Sequence, residues 1–354
     1  MKTYINFFNK KKIIITGHTG FKGSWLAEVL AIFGAKLIGV SAYKLEGQSF
    51  YKIMNTKNKM LKEYFVDINN LNQLKKIFLK EKPDIIFHLA AQSIVSKSIL
   101  YPVNTFNTNS IGTLNLLEAL RFINKKCCAV IVTSDKCYLN TETKIGYKET
   151  DRLGGMDPYS ASKAAAEIIF YSYFNTFFDN KKNITLATSR AGNVIGGGDF
   201  SKDRIVPDLI KSIKENKILL LRMPNATRPW QHVLEPIRGY LDLSISLYNN
   251  KNSGESFNFG PKENTIKKVI DLVDGISKYF DFNKIKIDNA NLQFKESSLL
   301  SLNCYKAKNK LNWKPKLTFN HTVKMTSEWY QKFLSKLDIN QFTIDQIVNY
   351  FNGR

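Results

Sequence analysis

Cysteine is scarce, and its few residues are badly spaced for metal or disulfide chemistry. The 354-residue chain has four, Cys127, Cys128, Cys137 and Cys304, and no two of them form a C-x-x-C pair. Its four histidines, His18, His88, His232 and His321, are equally scattered. A metal site and a disulfide framework are therefore not expected, and a reducing, cytoplasmic compartment is. No run of about twenty apolar residues is available to span a bilayer. The opening MKTYINFFNKKKIIIT is basic and then apolar, but the apolar run enters a glycine motif without a small-residue cleavage site, so it reads as a ragged start before a buried strand. Internal repeats and low-complexity linkers are missing too. Acids are few beside the bases: 30 Asp and Glu against 52 Lys and Arg, a formal net charge of +22. Such an excess can mark a nucleic-acid binder. Here the lysines are spread over the whole length among Asn and Ile, with no dense basic arm and no aromatic-studded stripe. Compositional drift explains that pattern, with attraction of an anionic substrate as a second reading. Neither nucleic acid nor membrane is expected as a partner.

What is present is patterned for burial. Apolar residues make up 44% of a chain long enough for one large or two modest domains. KIIIT (Lys12–Thr16) is a β-branched run ending at a glycine, which predicts a strand buried on both faces. A helical pattern over 22–33 stops at Gly34. Further strands are predicted over 35–40, 64–66, 84–89, 129–133 and 184–189, and helices over 71–79, 108–122 and 158–178. This alternation implies an α/β fold: a Rossmann-type, doubly wound parallel sheet covered on both faces. After Arg190 the rhythm breaks, and Pro207, Pro224, Pro229 and Pro236 punctuate shorter elements. The expected division is a dinucleotide-binding domain over 10–190, with a return at 231–262. A smaller, largely C-terminal substrate-binding lobe takes 191–230 and 263–354.

Three short strings carry the chemistry. TGHTGFKG (16–23) places Gly17, Gly20 and Gly23 three apart, between a strand and a helix. The first allows the tight turn, the second lets backbone approach a pyrophosphate, and the third lets helix and strand pack closely. The helix N-terminus adds N–H groups and partial positive charge, and Thr19, Phe21 and Lys22 complete the candidate cradle. After the second strand come Ser41, Ala42, Tyr43 and Lys44, neither a clear acid nor an arginine, so the choice between NAD and NADP stays open. In YSASK (159–163), Tyr159 and Lys163 lie one helical turn apart on one face. A free phenol titrates near ~10, and a neighbouring ammonium and a positive nicotinamide ring would lower it enough to take a hydroxyl proton as hydride leaves the same carbon. TSDKCY (133–138) follows the fifth strand, at the sheet edge where ligands of such folds bind. Ser134 suits a hydrogen bond to the reacting hydroxyl, and Asp135 is a candidate acid if burial raises its pKa. Lys136 is either a base, if its pKa is lowered, or an ammonium stabilising an enolate.

The glycine spacing resembles the extended branch of the short-chain dehydrogenase/reductase superfamily, which acts on nucleotide sugars. Asp67 with Ile68, the HLAA string containing Leu89, Ala90 and Ala91, and Asn109 in NSIGT are further marks of that branch and join the implied cofactor site. Within it, lysine after the Ser-Asp pair resembles the CDP-glucose 4,6-dehydratases. GHTGFKGSWL, HLAAQ, SDKCY, DPYSASK, RAGNVIGGGDF, RPWQHVLEP and NFGP extend the likeness over roughly 12–262, and LNCYKAKNKLNWKP over 302–315. The resemblance implies tightly held NAD, CDP-glucose as substrate and CDP-4-keto-6-deoxyglucose as product, in deoxysugar supply for lipopolysaccharide O-antigen. Oxidation at carbon 4 would acidify the proton at carbon 5, water would leave across carbons 5 and 6, and hydride would return to carbon 6. Asn193 matches a substrate position near the nicotinamide, and Arg204 and Arg228 match positions near the nucleotide diphosphate. Relatives pair into homodimers or larger assemblies through the helix that carries Phe170, Tyr171, Tyr173, Phe174, Phe177 and Phe178; these aromatics fit that interface or ordinary core packing. Asn303 stands where the family usually has an acid, and 294–300 matches poorly.

Overall fold

The computed structural model describes residues 1–42, 47–143, 145–181, 183–262, 267–288 and 299–353. Seven strands form the central sheet: β1 (Lys12–Thr16), β2 (Lys36–Ser41), β3 (Met60–Phe65), β4 (Ile85–His88), β5 (Cys127–Val132), β6 (Ile184–Arg190) and β7 (Ser256–Asn258). Their order is β3-β2-β1-β4-β5-β6-β7, and every pair is parallel. Alternation along the strands builds two cores. Ile13, Ile15, Phe87 and Val130 face one side, and Ile14, Ile86, Ala129 and Ile131 face the other. Both faces are covered by helices, which makes this the doubly wound Rossmann-type fold. The chain steps outward from β1 to β3 and then crosses back to β4, so the strand order reverses between β1 and β4. Thr16 is in register with both Val40 and His88, which aligns the carboxyl ends there.

Helix Phe21–Ile32 starts directly on the glycine loop and ends before Gly34, whose φ of +78° favours glycine. Helix Pro158–Tyr173 begins with proline at its first turn, and the Asp157 carboxylate accepts from Ser160 N at 2.9 Å. The helix expected over 108–122 begins earlier, at Pro102, and contains a π turn at Asn107–Ile111 before Gly112–Leu120. Strand β3 also starts earlier than 64–66, because as an exposed edge strand it lacks the apolar run that would announce it.

The largest departure is at the N-terminus. Residues Lys2–Phe8 form a helix rather than a ragged start. The Met1 ammonium donates to Phe351 O at 3.0 Å, Tyr4 OH donates to Asp242 Oδ1 at 2.6 Å, and Phe8 is fully buried. Tyr4 stacks on Phe33 and meets Phe351 edge-on, so this helix closes against the C-terminal helix Ile339–Asn352. Beyond β6 the chain forms helix Ile205–Glu215, returns to the sheet at β7 and ends in helices Phe319–Leu334 and Ile339–Asn352. The GGG turn at 196–198 permits this closure: a Cβ on Gly197 would run into the Trp329 ring. Among the described residues, no helix is long and apolar enough to cross a membrane. All four cysteines are free thiols.

Phe8→Ala tests the N-terminal helix. Loss of a fully buried phenylalanine is expected to cost about 3–5 kcal/mol of unfolding free energy, measured by urea denaturation. A disordered start would leave the midpoint where it is.

Candidate active site

The carboxyl ends of the strands open into a cleft, where residues change from buried to half-exposed: Phe21 and Lys22 after β1, Leu89 to Gln92 after β4, Lys136 after β5, and Asn193 after β6. The loop after β1 is shaped by its glycines. Gly17 has φ +73°, and a Cβ there would lie 2.7 Å from Ala90 N. A Cβ on Gly23 would overlap Gly17 O, so helix and loop meet backbone to backbone. On Gly20 it would touch only Gly17 O, at 3.3 Å, which leaves the loop's outer face as bare backbone. Gly20 is the N-cap of Phe21–Ile32 and supplies no side-chain cap, so the first-turn N–H groups face the cleft.

Behind this loop, Thr16 Oγ1 lies 2.7 Å from His88 Nδ1 and accepts from Ala90 N at 3.2 Å, which holds Ala90 and its neighbours Leu89 and Ala91 beside Gly17. Burial pushes His88 down to about 3, so it is neutral. Thr19 Oγ1 donates to Ser41 Oγ at 3.2 Å, at the end of β2. Tyr43 and Lys44 lie outside the described residues, as do 294–298. Asp67 is exposed after β3 and accepts from Asn69 N at 2.9 Å, while Ile68 is buried against Gly112. Asn109 is buried, and its amide is committed to protein. It donates to Gln92 O and Ser162 Oγ, both at 2.9 Å, and accepts from Gln92 N, so it joins the β4 loop to the Tyr159 helix.

Tyr159, Lys163, Ser134 and Asp135 are all buried and share one corner of the cleft. The sequence leads to an expectation of a Tyr159 phenol lowered by Lys163 and a bound nicotinamide ring together. In the protein alone, burial pushes Tyr159 up to about 12, with hydrogen bonding from Ser134 acting against it. Lys163 is itself driven down to about 7, first by burial and then by the Lys22 cation, which weakens the charge it can offer the phenol. Ser134 caps its turn by accepting from Lys136 N at 3.2 Å and donates to Asp135 Oδ1 at 3.1 Å. The other carboxylate oxygen, Asp135 Oδ2, is buried without a hydrogen-bond partner. Burial raises the Asp135 pKa, while Lys136, Ser134, Lys22 and Arg228 pull it down.

Sequence reasoning missed two residues that make this arrangement possible. A Cβ on Gly192 would overlap the Asp135 carboxyl, so only glycine leaves room for it. Glu167, one turn beyond Lys163, is buried and pairs with Arg190 at 2.7 Å. It also accepts from Thr133 at 2.5 Å, Thr188 at 2.9 Å and Ser256 at 3.1 Å, and so pins the Tyr159 helix to β5, β6 and β7. The RAGNV string and the one-turn repeat Tyr159–Lys163–Glu167 were the available signals.

The remaining candidates border the same cleft. Asn193 adopts φ +46°, a left-handed conformation that asparagine tolerates. Arg204 donates to Asp199 Oδ2 at 3.2 Å and to Ser93 Oγ at 2.8 Å, linking the lobe to the β4 loop. Arg228 is buried and close enough to Asp135 to depress its pKa. The aromatics after Tyr159 divide between two roles: Phe170 and Phe178 are core, whereas Tyr171 and Phe177 are exposed.

The model of the family described as GDP-mannose 4,6 dehydratase matches residues 14–326. The chain is 36% identical to CDP-glucose 4,6-dehydratase from Salmonella typhimurium, over 98% of both chains. Among solved structures it resembles an epimerase from Methanothermobacter thermautotrophicus, with TM-score 0.80, 22% identity, and 94% and 97% of the two chains covered. It also resembles DesIV, a dTDP-glucose 4,6-dehydratase from Streptomyces venezuelae with NAD and TYD bound, with TM-score 0.78, 19% identity, and 92% and 99% covered.

Gly192→Ala is expected to keep a cooperative melt while displacing the Asp135 carboxyl. Misplacing a reacting group by about 1 Å costs on the order of 100-fold in turnover. Undiminished turnover beside an unchanged melt would mean that the carboxyl's position is unimportant.

Proposed function

The chain belongs to the GDP-mannose 4,6 dehydratase family, and from that premise we propose that it converts CDP-glucose to CDP-4-keto-6-deoxyglucose and water. The observation that carries this reading is the company Tyr159 and Lys163 keep: a buried Asp135 whose Oδ2 has no partner. A 4-epimerase needs the tyrosine and lysine, but eliminates no water and needs no enclosed acid beside them. The Salmonella relative, named for CDP-glucose, supports the choice of nucleotide sugar.

NAD is the cofactor in this reading, and the residues present fit it. The Gly17, Gly20 and Gly23 backbone and the uncapped N-terminus of Phe21–Ile32 suit a pyrophosphate. Thr19, Ala90 and Ala91 line the approach, and Tyr159 and Lys163 reach the ring end. When bound, NAD supplies the hydride acceptor at carbon 4, a positive ring that lowers the Tyr159 phenol, and the hydride returned to carbon 6. Tyr159 takes the carbon 4 hydroxyl proton, with Ser134 hydrogen-bonded to it and Lys163 one turn below. Asp135, its pKa raised by burial, gives a proton to the departing carbon 6 hydroxyl. Asn193, Arg204 and Arg228 hold the sugar and its diphosphate.

The active unit in this reading is a homodimer in the cytoplasm, making a deoxysugar precursor of the kind used in O-antigen. Helices Val95–Leu100 and Pro102–Phe106 lie beside Pro158–Tyr173 and leave Leu100, Tyr101, Val103, Ile168 and Tyr171 exposed. An apolar face of this kind suits a second copy. Sedimentation velocity should give twice the monomer mass, and a monomer at micromolar concentration would overturn the pairing.

Incubation of the NAD-loaded enzyme with CDP-glucose should give a product lighter by one water, read by mass spectrometry. An isomer of unchanged mass would instead support the epimerase. Tyr159→Phe removes the proton acceptor and is expected to slow turnover about 100- to 10,000-fold.

A further inference from the structure

Gly192 leaves room for the Asp135 carboxyl, but room alone does not hold a backbone in place. The Gly192 backbone lies against that carboxyl: a Cβ there would come within 1.7 Å of Oδ2 and 2.0 Å of Cγ. Glycine has more conformational freedom than any other residue, and the next residue, Asn193, takes a left-handed φ of +46°. Gln231 fixes this turn with both its side chain and its backbone. It is 2% exposed. Its Nε2 donates to Gly192 O at 3.1 Å and its N donates to Asn193 O at 3.2 Å, so two consecutive carbonyls of the turn end on one residue.

The same amide anchors the turn to the sheet. Nε2 also donates to Phe259 O at 2.8 Å, and Phe259 N donates to Arg190 O at 2.9 Å, so the segment is tied to the chain leaving β7. Gln231 and His232 pair in parallel with Val194 and Ile195, which sets where the amide starts. Residues 190–193 are thus held at entry by the Glu167–Arg190 pair and at exit by Gln231. Gln231 Oε1, by contrast, is buried without a hydrogen-bond partner. An orphaned oxygen costs stability, so this glutamine contributes through its two N–H groups. We propose that Gln231 is the positioning residue for Asp135: by gripping Gly192 O it keeps the backbone against the carboxyl, and the acid aligned for elimination.

Gln231 moves no proton in this assignment; it acts through Gly192. The Tyr159 helix is held separately, since Glu167 bonds Arg190, Thr133, Thr188 and Ser256 and none of these contacts passes through Gln231. The bond to Asn193 O comes from backbone and survives a change of side chain. Loss of the Gln231 amide is therefore expected to fall on elimination and to spare both oxidation at carbon 4 and the turn at Asn193.

This proposal rests on the dehydratase reading, and one set of experiments separates the two. Wild type, Gln231→Leu and Gln231→Asn, each loaded with saturating NAD, are given CDP-glucose, and both substitutions are repeated in an Asp135→Asn background. No dehydrated product from wild type would sink the dehydratase reading and this proposal with it. Gln231→Leu removes both donors, and Gln231→Asn withdraws the amide by one carbon, so neither bridges Gly192 O and Phe259 O. Each should slow elimination about 100-fold, while oxidation keeps its rate and reduced-cofactor absorbance builds up. In the Asp135→Asn background the same substitutions should cause no further loss, because residues acting as a unit do not add. A further loss of similar size there, or equal slowing of oxidation, would make Gln231 a general support and overturn its role at Asp135. Wild-type elimination in both variants would overturn it too, as would a raised KM for CDP-glucose at unchanged kcat, which would move the role to Asn193. Thermal melts accompany every variant, and a cooperative fold lost in both would make Gln231 a folding residue instead.

Discussion

The buried Glu167–Arg190 ion pair is the constraint on which the site's geometry depends. Two charges removed from water are costly unless every remaining valence is used. Around this pair almost all are: Thr133, Thr188 and Ser256 donate to Glu167, while Arg190 reaches Tyr138 OH at 2.9 Å and Glu149 O at 3.0 Å. Arg190 Nε alone is left over. The carboxylate therefore stays ionised despite its burial, held below the ordinary range by Arg190 and its hydroxyl donors, which burial opposes. Removing one partner of such a pair costs about 3–5 kcal/mol, a large part of the 5–15 kcal/mol typical of a domain. The pair thereby fixes the angle at which the Tyr159 helix crosses the ends of β5, β6 and β7.

The steric arrangement follows from that fixed helix. Ser134 and Asp135 leave β5 on the strand edge next to Thr133, and the chain leaving β6 must pass directly over the Asp135 carboxyl. Only a glycine at 192 allows that passage. Further along the same segment, Gly197 accepts the Trp329 ring and Gly198, at φ +82°, accepts Phe50. A stretch that reads as a flexible glycine run is in fact a packed crossing of backbone over carboxylate and aromatic rings. Its glycines act through the space they leave, and this is a different role from the phosphate loop, where they leave backbone bare.

How much of this could be read from the sequence depended on how far each feature reaches along the chain. β1, the glycine loop and the helix that follows are specified within about twenty residues, and pattern found them. The Tyr159–Lys163 spacing is equally local. β3 escaped because an edge strand buries little and carries no apolar alternation. The N-terminal helix escaped because its partner, Phe351, lies at the other end of the chain. Glu167, Arg190 and Gly192 are ordinary letters whose meaning arises only when the β5 and β6 ends are brought together. The Tyr159 environment was legible only in part for a related reason. Spacing shows that Lys163 is near, but it does not show how deeply both are buried, and burial is the largest cause of both shifts in the protein alone.

The net charge can now be divided into two parts. Most of the lysines are scattered over the surface and carry no site, as their distribution suggests. A few cations, Lys22, Lys136, Lys163, Arg204 and Arg228, converge on the cleft, and their shared field serves conflicting ends. Added to burial, the larger cause, it lowers the pKa of Lys22 and Lys163. The same field pulls Asp135 toward ionisation, which does not suit an acid. Burial nevertheless outweighs Lys136, Lys22 and Arg228 together, so the Asp135 pKa is raised. That burial is supplied by the backbone at Gly192 lying against its carboxyl. Packing, not the surrounding charge, thus sets the direction in which Asp135 is shifted, and the glycine at 192 shapes the site as much as the charged residues around it.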